Sequence, residues 1–281
     1  MPVTLYQAIC KVNDKYSKGN ADYSVTQLID SARISQLRIK HREELTEDAA
    51  DMLWKFFGSL SHEILSNTND FNKFHEERLF AAIEGKIITG CPDLFDGKTI
   101  SDYKFVSKYT TTRGIKTEWE KQLNIYNFLL LQNGWQAKNL EIIAIYRDAI
   151  TSKGDPLFGV FPVKITPIPE LITYISSRIT VHELAKSTLP LCDENERWYS
   201  QSKIAVMKKG NKKAVKLFEF IKDAEIYALS NEKFYLEKRK GISKRCESYC
   251  NVASFCDQYN KEINCRLLDK AATGTKSEES R

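Results

Sequence analysis

The chain has 281 residues, of which 42% are hydrophobic, so it is long enough for one large domain or for a domain with an appended module. Its formal net charge of +5 is compatible with a polyanionic partner but does not identify one. The sequence shows no apolar run of membrane-spanning length and no signal peptide, which predicts a cytoplasmic protein with no membrane partner. Seven cysteines in such a protein argue against a disulfide framework and favour metal binding or core packing.

Helical patterns follow a short N-terminal arm. Ser24 is a typical N-cap for a helix that should extend to about His41. Apolar residues at helical spacing predict a second helix over about 50–65, and His62 lies on it. The segment 74–85 is predicted to form the first strand of a sheet.

A β-hairpin is predicted to gather acidic side chains at one end of a small sheet. A turn at Asp96-Gly97 joins an outgoing strand that ends near Asp93 to a returning strand that carries Asp102 and Lys104. The last two residues are two positions apart, so their side chains leave the same face. Carboxylates are hard oxygen ligands for Mg²⁺ or Mn²⁺, and a lysine beside such an ion could orient an attacking water. A solvated hairpin is the simpler alternative.

The helix predicted after this hairpin carries Gln122 and Tyr126 at i,i+4 spacing, so both side chains leave one face. Asn133-Gly134 should end the helix, and the apolar run 140–146 fits a central strand. Between hairpin and helix, the loop around residues 107–116 carries hydroxyls and cations that suit either phosphate contacts or plain solvation.

The remaining elements follow a group of prolines. They are a strand over about 159–166, a helix over about 170–186, and a compact insertion over 198–241 with two strands, a helix and a third strand. Lysines surround the first turn of the insertion, at Lys209-Gly210-Asn211. They could guide a nucleic-acid strand, or they could be an ordinary charged turn.

Six of these residues, in their order and spacing, resemble the RecB-like branch of the PD-(D/E)XK nuclease superfamily, as in phage or CRISPR-associated exonucleases. They are His62, Asp93, Asp102, Lys104, Gln122 and Tyr126, and the match covers about residues 24–147. The resemblance implies an α/β fold with a restriction-endonuclease-like mixed β-sheet flanked by helices. One departure is Asp102 itself, because many members have glutamate before x-Lys.

The resemblance also implies a role for each residue. Mg²⁺ or Mn²⁺ would be held by His62, Asp93, Asp102 and the backbone carbonyl of Tyr103. Lys104 would act with the two aspartates as the catalytic lysine, whereas Gln122 and Tyr126 would position the DNA strand or the lysine. The implied activity is a metal-dependent deoxyribonuclease, an exonuclease on single-stranded DNA or DNA ends. The alternatives are a non-catalytic DNA-binding subunit of a recombination, repair or phage complex, and an RNA endonuclease.

Cys246, Cys250 and Cys256 lie within eleven positions, which makes a soft-metal site. RecB-like nucleases with an iron–sulfur cluster end in a similar run, although the first gap here is one residue longer than usual. The resemblance implies a 4Fe-4S cluster, with structural Zn²⁺ or unliganded thiols as alternatives. Cys192 is the first choice for a fourth ligand, and Cys10 and Cys265 are the other candidates.

These predictions divide the chain into four parts. They are an N-terminal arm over 1–23, a nuclease core over 24–190, a C-terminal module over 191–265 that contains the insertion and the cysteine run, and a disordered polar tail over 266–281.

Overall fold

The computed structural model of the chain describes residues 2–14, 18–45, 52–66, 74–75 and 77–274. It divides into two compact units. The first unit comprises Met1–Gln36 with Thr46–Leu189, and the second comprises Leu37–Leu45 with Pro190–Arg281. The second unit thus begins one residue before the predicted C-terminal module and takes in a segment that the sequence placed in the core. Among the described residues, no helix is both long and apolar enough to cross a membrane.

The predicted helix from Ser24 to about His41 is two helices. The first elements are α1 (Val3–Asp14), β1 (Tyr23–Ser24), α2 (Val25–Ile29), α3 (Ala32–Lys40) and α4 (Leu53–Ser66). Ser24 caps α2, because its side chain accepts a hydrogen bond from the Gln27 N–H at 3.1 Å. The chain then becomes extended at Asp30. Arg178 donates hydrogen bonds to the carbonyls of Leu28 and Asp30, at 2.8 and 2.7 Å, and so satisfies oxygens left by the interrupted helix.

Two sheets follow in the first unit. Their strands and helices are β2 (Phe74–His75), β3 (Leu79–Ile83), β4 (Lys86–Gly90), β5 (Leu94–Phe95), β6 (Thr99–Val106), α5 (Thr117–Gln132), β7 (Asn139–Tyr146), β8 (Phe158–Val163) and α6 (Ile168–Leu184). Five strands form a mixed sheet of order β2-β5-β6-β7-β8, in which β6 and β7 are parallel and the other neighbours antiparallel. A three-stranded sheet has the order β1-β4-β3.

The predicted hairpin is wrong in its outgoing strand. The strand β4 pairs with β3, and the partner of β6 is the short β5, with Leu94 opposite Ser101. Pro92 has no N–H to donate, so a strand ladder is interrupted there, and the chain passes from one sheet to the other between β4 and β5. The turn at Asp96-Gly97 is confirmed, because the Asp96 side chain accepts hydrogen bonds from the two N–H groups that follow Gly97. The predicted strand over 74–85 is likewise two strands, β2 and β3.

The core of the first unit lies between the mixed sheet and helices α5 and α6. Fully buried members from these three sources are Ile100, Leu123, Leu129, Ile142 and Ile175. The central position predicted for the apolar run 140–146 is confirmed, since β7 lies between β6 and β8. Helix α5 ends as expected, with Gly134 in the left-handed region at φ +86°.

The second unit is built around a small antiparallel sheet. Its elements are β9 (Tyr199–Ser200), β10 (Lys203–Lys208), β11 (Lys216–Phe218), α7 (Ile221–Ala228), β12 (Phe234–Arg239), β13 (Ile242–Ser243), α8 (Lys244–Ser248) and α9 (Asp257–Gly274). The sheet order is β11-β10-β12, and α7 packs on one face over Ile204 and Val206. The strand–strand–helix–strand order predicted for the insertion is therefore confirmed.

The predicted disordered tail begins inside a helix, because α9 continues through residues 266–274. Residues 275–281 lie outside the described part of the chain. The predicted fold class is confirmed: the protein is α/β, with mixed sheets flanked by helices and with the C-terminal cysteines in the second unit.

Candidate active site

Asp102 and Lys104 form an ion pair on β6. Asp102 Oδ2 lies 2.5 Å from Lys104 Nζ, which confirms that the two side chains leave the same face of the strand. That face is the inner one, since Asp102 lies opposite Ile142, which is fully buried in β7. The Asp102 side chain is 1% exposed and the Lys104 side chain 19%. The carboxylate is therefore sealed from water, whereas the ammonium group reaches the edge of the core.

Gln122 extends this pair into helix α5. Its Oε1 accepts a hydrogen bond from Lys104 Nζ at 3.2 Å, and its Nε2 donates to Tyr126 Oη at 2.8 Å. Gln122 and Tyr126 are both buried, on the face of α5 that contacts β6. Because both ends of the amide are used, its orientation is fixed by its neighbours. The structure thus brings together four of the predicted residues in one chain of polar contacts.

The phenol of Tyr126 lies near both predicted carboxylates. Burial raises the pKa of Tyr126 well above its usual value, and the negative charge of Asp102 raises it further. The hydrogen bond with Gln122 acts in the opposite direction, and the charge of Asp93 adds a smaller upward effect. Tyr126 therefore stays a neutral hydroxyl at physiological pH.

Gly90 makes room for this tyrosine, and the sequence did not single it out. A Cβ at Gly90 would lie 2.7 Å from Tyr126 Cε1 and 2.7 Å from Val25 Cγ2, far inside van der Waals contact. The position therefore requires glycine. A glycine at the end of a strand pattern is a known sign of close approach, and that signal could have found it.

Asp93 lies in the connection between β4 and β5 and is half-buried. Its Oδ2 accepts a hydrogen bond from the Tyr103 N–H at 2.7 Å, which fixes the connection against β6 between Asp102 and Lys104. The predicted metal ligation by the Tyr103 carbonyl is not tested by this contact and stays a prediction.

His62 lies on α4, but its side chain is outside the described residues, so its predicted metal ligation also stays a prediction. In the described ranges, no group of three or more His, Cys, Asp or Glu side chains is arranged to hold a metal ion. The donors that are described, the carboxylates of Asp93 and Asp102, are hard oxygens of the kind that Mg²⁺ and Mn²⁺ take. The chemistry of the donor set therefore fits such an ion, and a third side chain is needed to complete it.

The loop after β6 uses its polar groups internally. Ser107 Oγ donates to Asp148 Oδ2 at 2.6 Å, and the Lys108 N–H donates to Asp148 Oδ1 at 2.8 Å. These two hydrogen bonds lower the pKa of Asp148, the one from Ser107 most strongly. The Lys108 ammonium forms an ion pair with Asp155. Ser107 and Lys108, for which the sequence left phosphate contacts and plain solvation open, are thus engaged in holding the loop.

The predicted cysteine ligands all belong to the second unit. Burial and, to a smaller extent, the neighbouring thiols of Cys250 and Cys256 together raise the pKa of the Cys246 thiol to about 11. Cys192 is tied to the start of α9, because Gln258 accepts from its N–H at 2.8 Å and donates to its carbonyl at 2.9 Å. The thiols share a neighbourhood, but three of them are not placed as a ready cage for one ion.

Comparison with known proteins gives little further guidance. No protein-family model matches the sequence, and no curated protein matches it. The solved structure of SSO0001 is 17% identical with a TM-score of 0.45, over 63% of this chain and 83% of that one. A protein from Eubacterium rectale, named as a proposed exonuclease, is 13% identical with a TM-score of 0.34, over 66% of this chain and 77% of that one. Likeness at this level carries no argument about fold or function.

Proposed function

We propose that this chain is a metal-dependent deoxyribonuclease of the PD-(D/E)XK type, on the RecB-like branch. The observation that carries the proposal is the ion pair between the buried Asp102 and the half-buried Lys104, continued through Gln122 to Tyr126 and adjoined by Asp93. Withdrawing a carboxylate and an ammonium from water is costly, and an apolar pair of similar volume would often be as stable. Such a pair is more readily explained by chemistry than by stability.

The chain's own residues would divide the work in the following way. Asp93 and Asp102, with His62 and the Tyr103 carbonyl, would hold Mg²⁺ or Mn²⁺. The ion would supply a bound water of lowered pKa and neutralise charge on the phosphate. Lys104, held by Asp102 and Gln122, would orient the attacking water and offset the charge that develops on the phosphate oxygens.

Gln122 and Tyr126 act as positioning residues in this proposal. The amide of Gln122 fixes the Lys104 ammonium on one side and the Tyr126 hydroxyl on the other. Because Tyr126 stays neutral, its hydroxyl is available to donate a hydrogen bond without adding negative charge beside the two carboxylates. Single-stranded DNA or DNA ends are the proposed substrate.

The test is a cleavage assay on labelled single-stranded DNA, duplex DNA and RNA, with Mg²⁺, Mn²⁺ or EDTA. We expect cleavage of DNA only with a divalent cation. Asp102→Asn and Lys104→Met should each lower kcat about a thousandfold, the loss expected when several kcal/mol of charge stabilisation disappear. Lys138→Met, at an exposed lysine on the same unit, is the matched control and should keep full activity.

Each contrary result has a defined meaning. Cleavage that survives EDTA, or that survives both substitutions, contradicts the mechanism. Cleavage restricted to RNA makes the chain an RNA endonuclease. Metal-independent DNA binding without any cleavage makes it a non-catalytic binding subunit.

Iron–sulfur or zinc ligation by Cys192, Cys246, Cys250 and Cys256 is a separate proposal, supported by the shared neighbourhood of the last three thiols. Anaerobically purified protein should contain iron and absorb broadly in the visible range, or contain zinc and be colourless. Cys246→Ser and Cys192→Ser should each lower the metal content. A loss of metal in Cys265→Ser instead of Cys192→Ser would make the exposed Cys265 the fourth ligand. Purified protein without either metal contradicts the proposal.

A further inference from the structure

The net positive charge of the chain arises from one short segment. Residues 203–240 contain eleven Lys and Arg and five Asp and Glu, a net charge of +6, whereas the whole chain carries +5. The remaining residues therefore have a slight negative excess. This segment, which forms the three-stranded sheet and α7 of the second unit, therefore accounts for the net positive charge of the chain and is a candidate site for a polyanion.

The fold brings many of these cations to one end of the sheet. The ladder between β10 and β12 ends at the pair Lys208 and Phe234. Just beyond it, the Lys209 N–H donates a hydrogen bond to the Lys233 carbonyl at 2.9 Å. Gly210, at φ +88°, turns the chain toward β11. The five lysines at this end, which we call the lysine end, are Lys208, Lys209, Lys212, Lys213 and Lys233.

The described part of the chain does not neutralise the lysine end. No member forms an ion pair with any residue that the structure describes. Three arginines of the same unit, by contrast, are paired with glutamates: Arg197 with Glu262, Arg239 with Glu237, and Arg266 with Glu247 and Glu262. Glu232, beside Lys233 in the sequence, still leaves a clear positive excess. Like charges held close together repel, so internal stability does not explain this arrangement.

The lysine end is supported by the packing of the three-stranded sheet against α7. Ile204 and Val206 of β10 are buried against Ala224 of α7, and the rings of Tyr227 and Phe234 stack at 5.9 Å between centroids. The lysines are therefore presented by an ordered sheet rather than by a loose tail.

An exposed aromatic ring adjoins the lysines. Tyr235, opposite Met207 and next to the last ladder pair, is 43% exposed. Flat exposed rings beside cations are typical of surfaces that bind single strands, because unpaired bases can stack on them and paired bases cannot. We propose that the lysine end binds the phosphates of single-stranded DNA, with Tyr235 as a stacking face for a base. The choice of DNA rests on the proposed function.

The test measures binding by fluorescence anisotropy in EDTA, with full-length protein and a labelled oligothymidylate as the probe. In the triple variant Lys209→Gln/Lys212→Gln/Lys213→Gln, affinity should fall about ten- to one-hundredfold at 0.1 M salt. The slope of log Kd against log salt should fall by about 2, since each phosphate contact to a single strand contributes about 0.7.

The matched control removes the same charge from exposed lysines of the first unit, as Lys98→Gln/Lys138→Gln/Lys153→Gln. Its affinity should change less than about twofold. An equal loss in both triple variants would mean that only net charge matters and would overturn the proposal. Unchanged affinity and slope in the first triple variant would overturn it directly. An equal loss for a duplex of the same length would overturn the single-strand assignment.

Binding in EDTA does not depend on cleavage, so the two proposals fail separately. A wild-type protein that binds through the lysine end but never cleaves contradicts the proposed function alone. A wild-type protein that cleaves, with the triple variant binding as the wild type does, contradicts the lysine end alone. If both proposals hold, the triple variant should show a raised KM and an unchanged kcat.

Discussion

The two units place lysine in opposite environments. In the first unit, Lys104 is drawn against a carboxylate that is almost completely buried, and Gln122 holds its remaining side. In the second unit, four of the five lysines of the lysine end are exposed to water, and none of the five has an ion-pair partner among the described residues. A buried charge must be paired, so its partner is dictated by solvation energy. A solvated charge needs no partner and is therefore free to serve a ligand.

This difference changes what a substitution reveals. At Lys104 the loss of the ammonium leaves a buried carboxylate behind, so structure and activity are affected together. At the lysine end the loss of an ammonium leaves only water, so an effect on binding can be measured without an effect on folding. The largest contrast should therefore appear in the free energy of unfolding.

The first prediction compares the two halves of the buried pair, in EDTA and by urea unfolding. Lys104→Met should lower the free energy of unfolding by about 3–5 kcal/mol, because the buried carboxylate of Asp102 loses the ammonium group with which it forms its ion pair. Asp102→Asn should cost less, about 1–3 kcal/mol, because the ammonium that remains is 19% exposed and can reach water. If Asp102→Asn is the more destabilising change, the carboxylate is not the deeply buried member that the structure indicates.

Sequence periodicity was sufficient to predict which residues of this site share a face of their strand or helix. The period of two put Asp102 and Lys104 on one face of a strand, and the i,i+4 spacing put Gln122 and Tyr126 on one face of a helix. Those rules involve only a few neighbouring residues. The choice of β5 rather than β4 as the partner of β6 depends on how the whole chain passes between two sheets, which local patterns do not encode.

Long-range contacts explain the other differences. The helix predicted to begin at Ser24 is broken near Asp30. There Arg178, about 150 positions later in the chain, donates hydrogen bonds to the carbonyls of Leu28 and Asp30. Gly90 is required because Tyr126 of a later helix packs on it. The break at Asp30 has no signature within its own segment. The glycine in the strand pattern does signal a close approach at Gly90, but it does not say that Tyr126 is the residue that packs there. The fold class and the site's polar pairs could be predicted, whereas the packing that fixes them could not.

The second prediction concerns a buried group of the first unit that has no such pairing. His182 is fully buried, and neither ring nitrogen makes a hydrogen bond to a residue that the structure describes. Burial lowers the pKa of His182 below 6.5, and the charge of Arg178 lowers it further, against the smaller raising effect of the Leu28 and Asp30 carbonyls. The folded protein therefore takes up this proton less readily than the unfolded chain.

The direction of the pH effect on stability follows because the pKa of His182 is lower in the folded protein than in the unfolded chain. Stability linked to His182 is fully present above about pH 6.5, where both states are neutral, and is lost as the pH falls through the depressed folded-state pKa. His182→Leu should remove this loss, so the urea midpoint should fall less steeply between pH 7 and pH 5. When the free energy of unfolding is plotted against pH, the slopes for the two proteins should differ by at most about 1.4 kcal/mol per pH unit, the value for one proton. Parallel curves for the two proteins would show that acid sensitivity arises elsewhere.

The smallest effect should come from the lysine end itself. Lys212→Gln removes one of several like charges in water, so the free energy of unfolding should rise by no more than about 0.5 kcal/mol, and the gain should vanish in about 0.5 M salt as screening weakens the repulsion. Lys104→Met, measured beside it, should stay destabilising at every salt concentration, because a buried carboxylate is little screened. A salt-independent loss of stability in Lys212→Gln would mean that this lysine has an internal partner. The division between a lysine paired with a buried carboxylate and a solvated lysine would then no longer separate the two units.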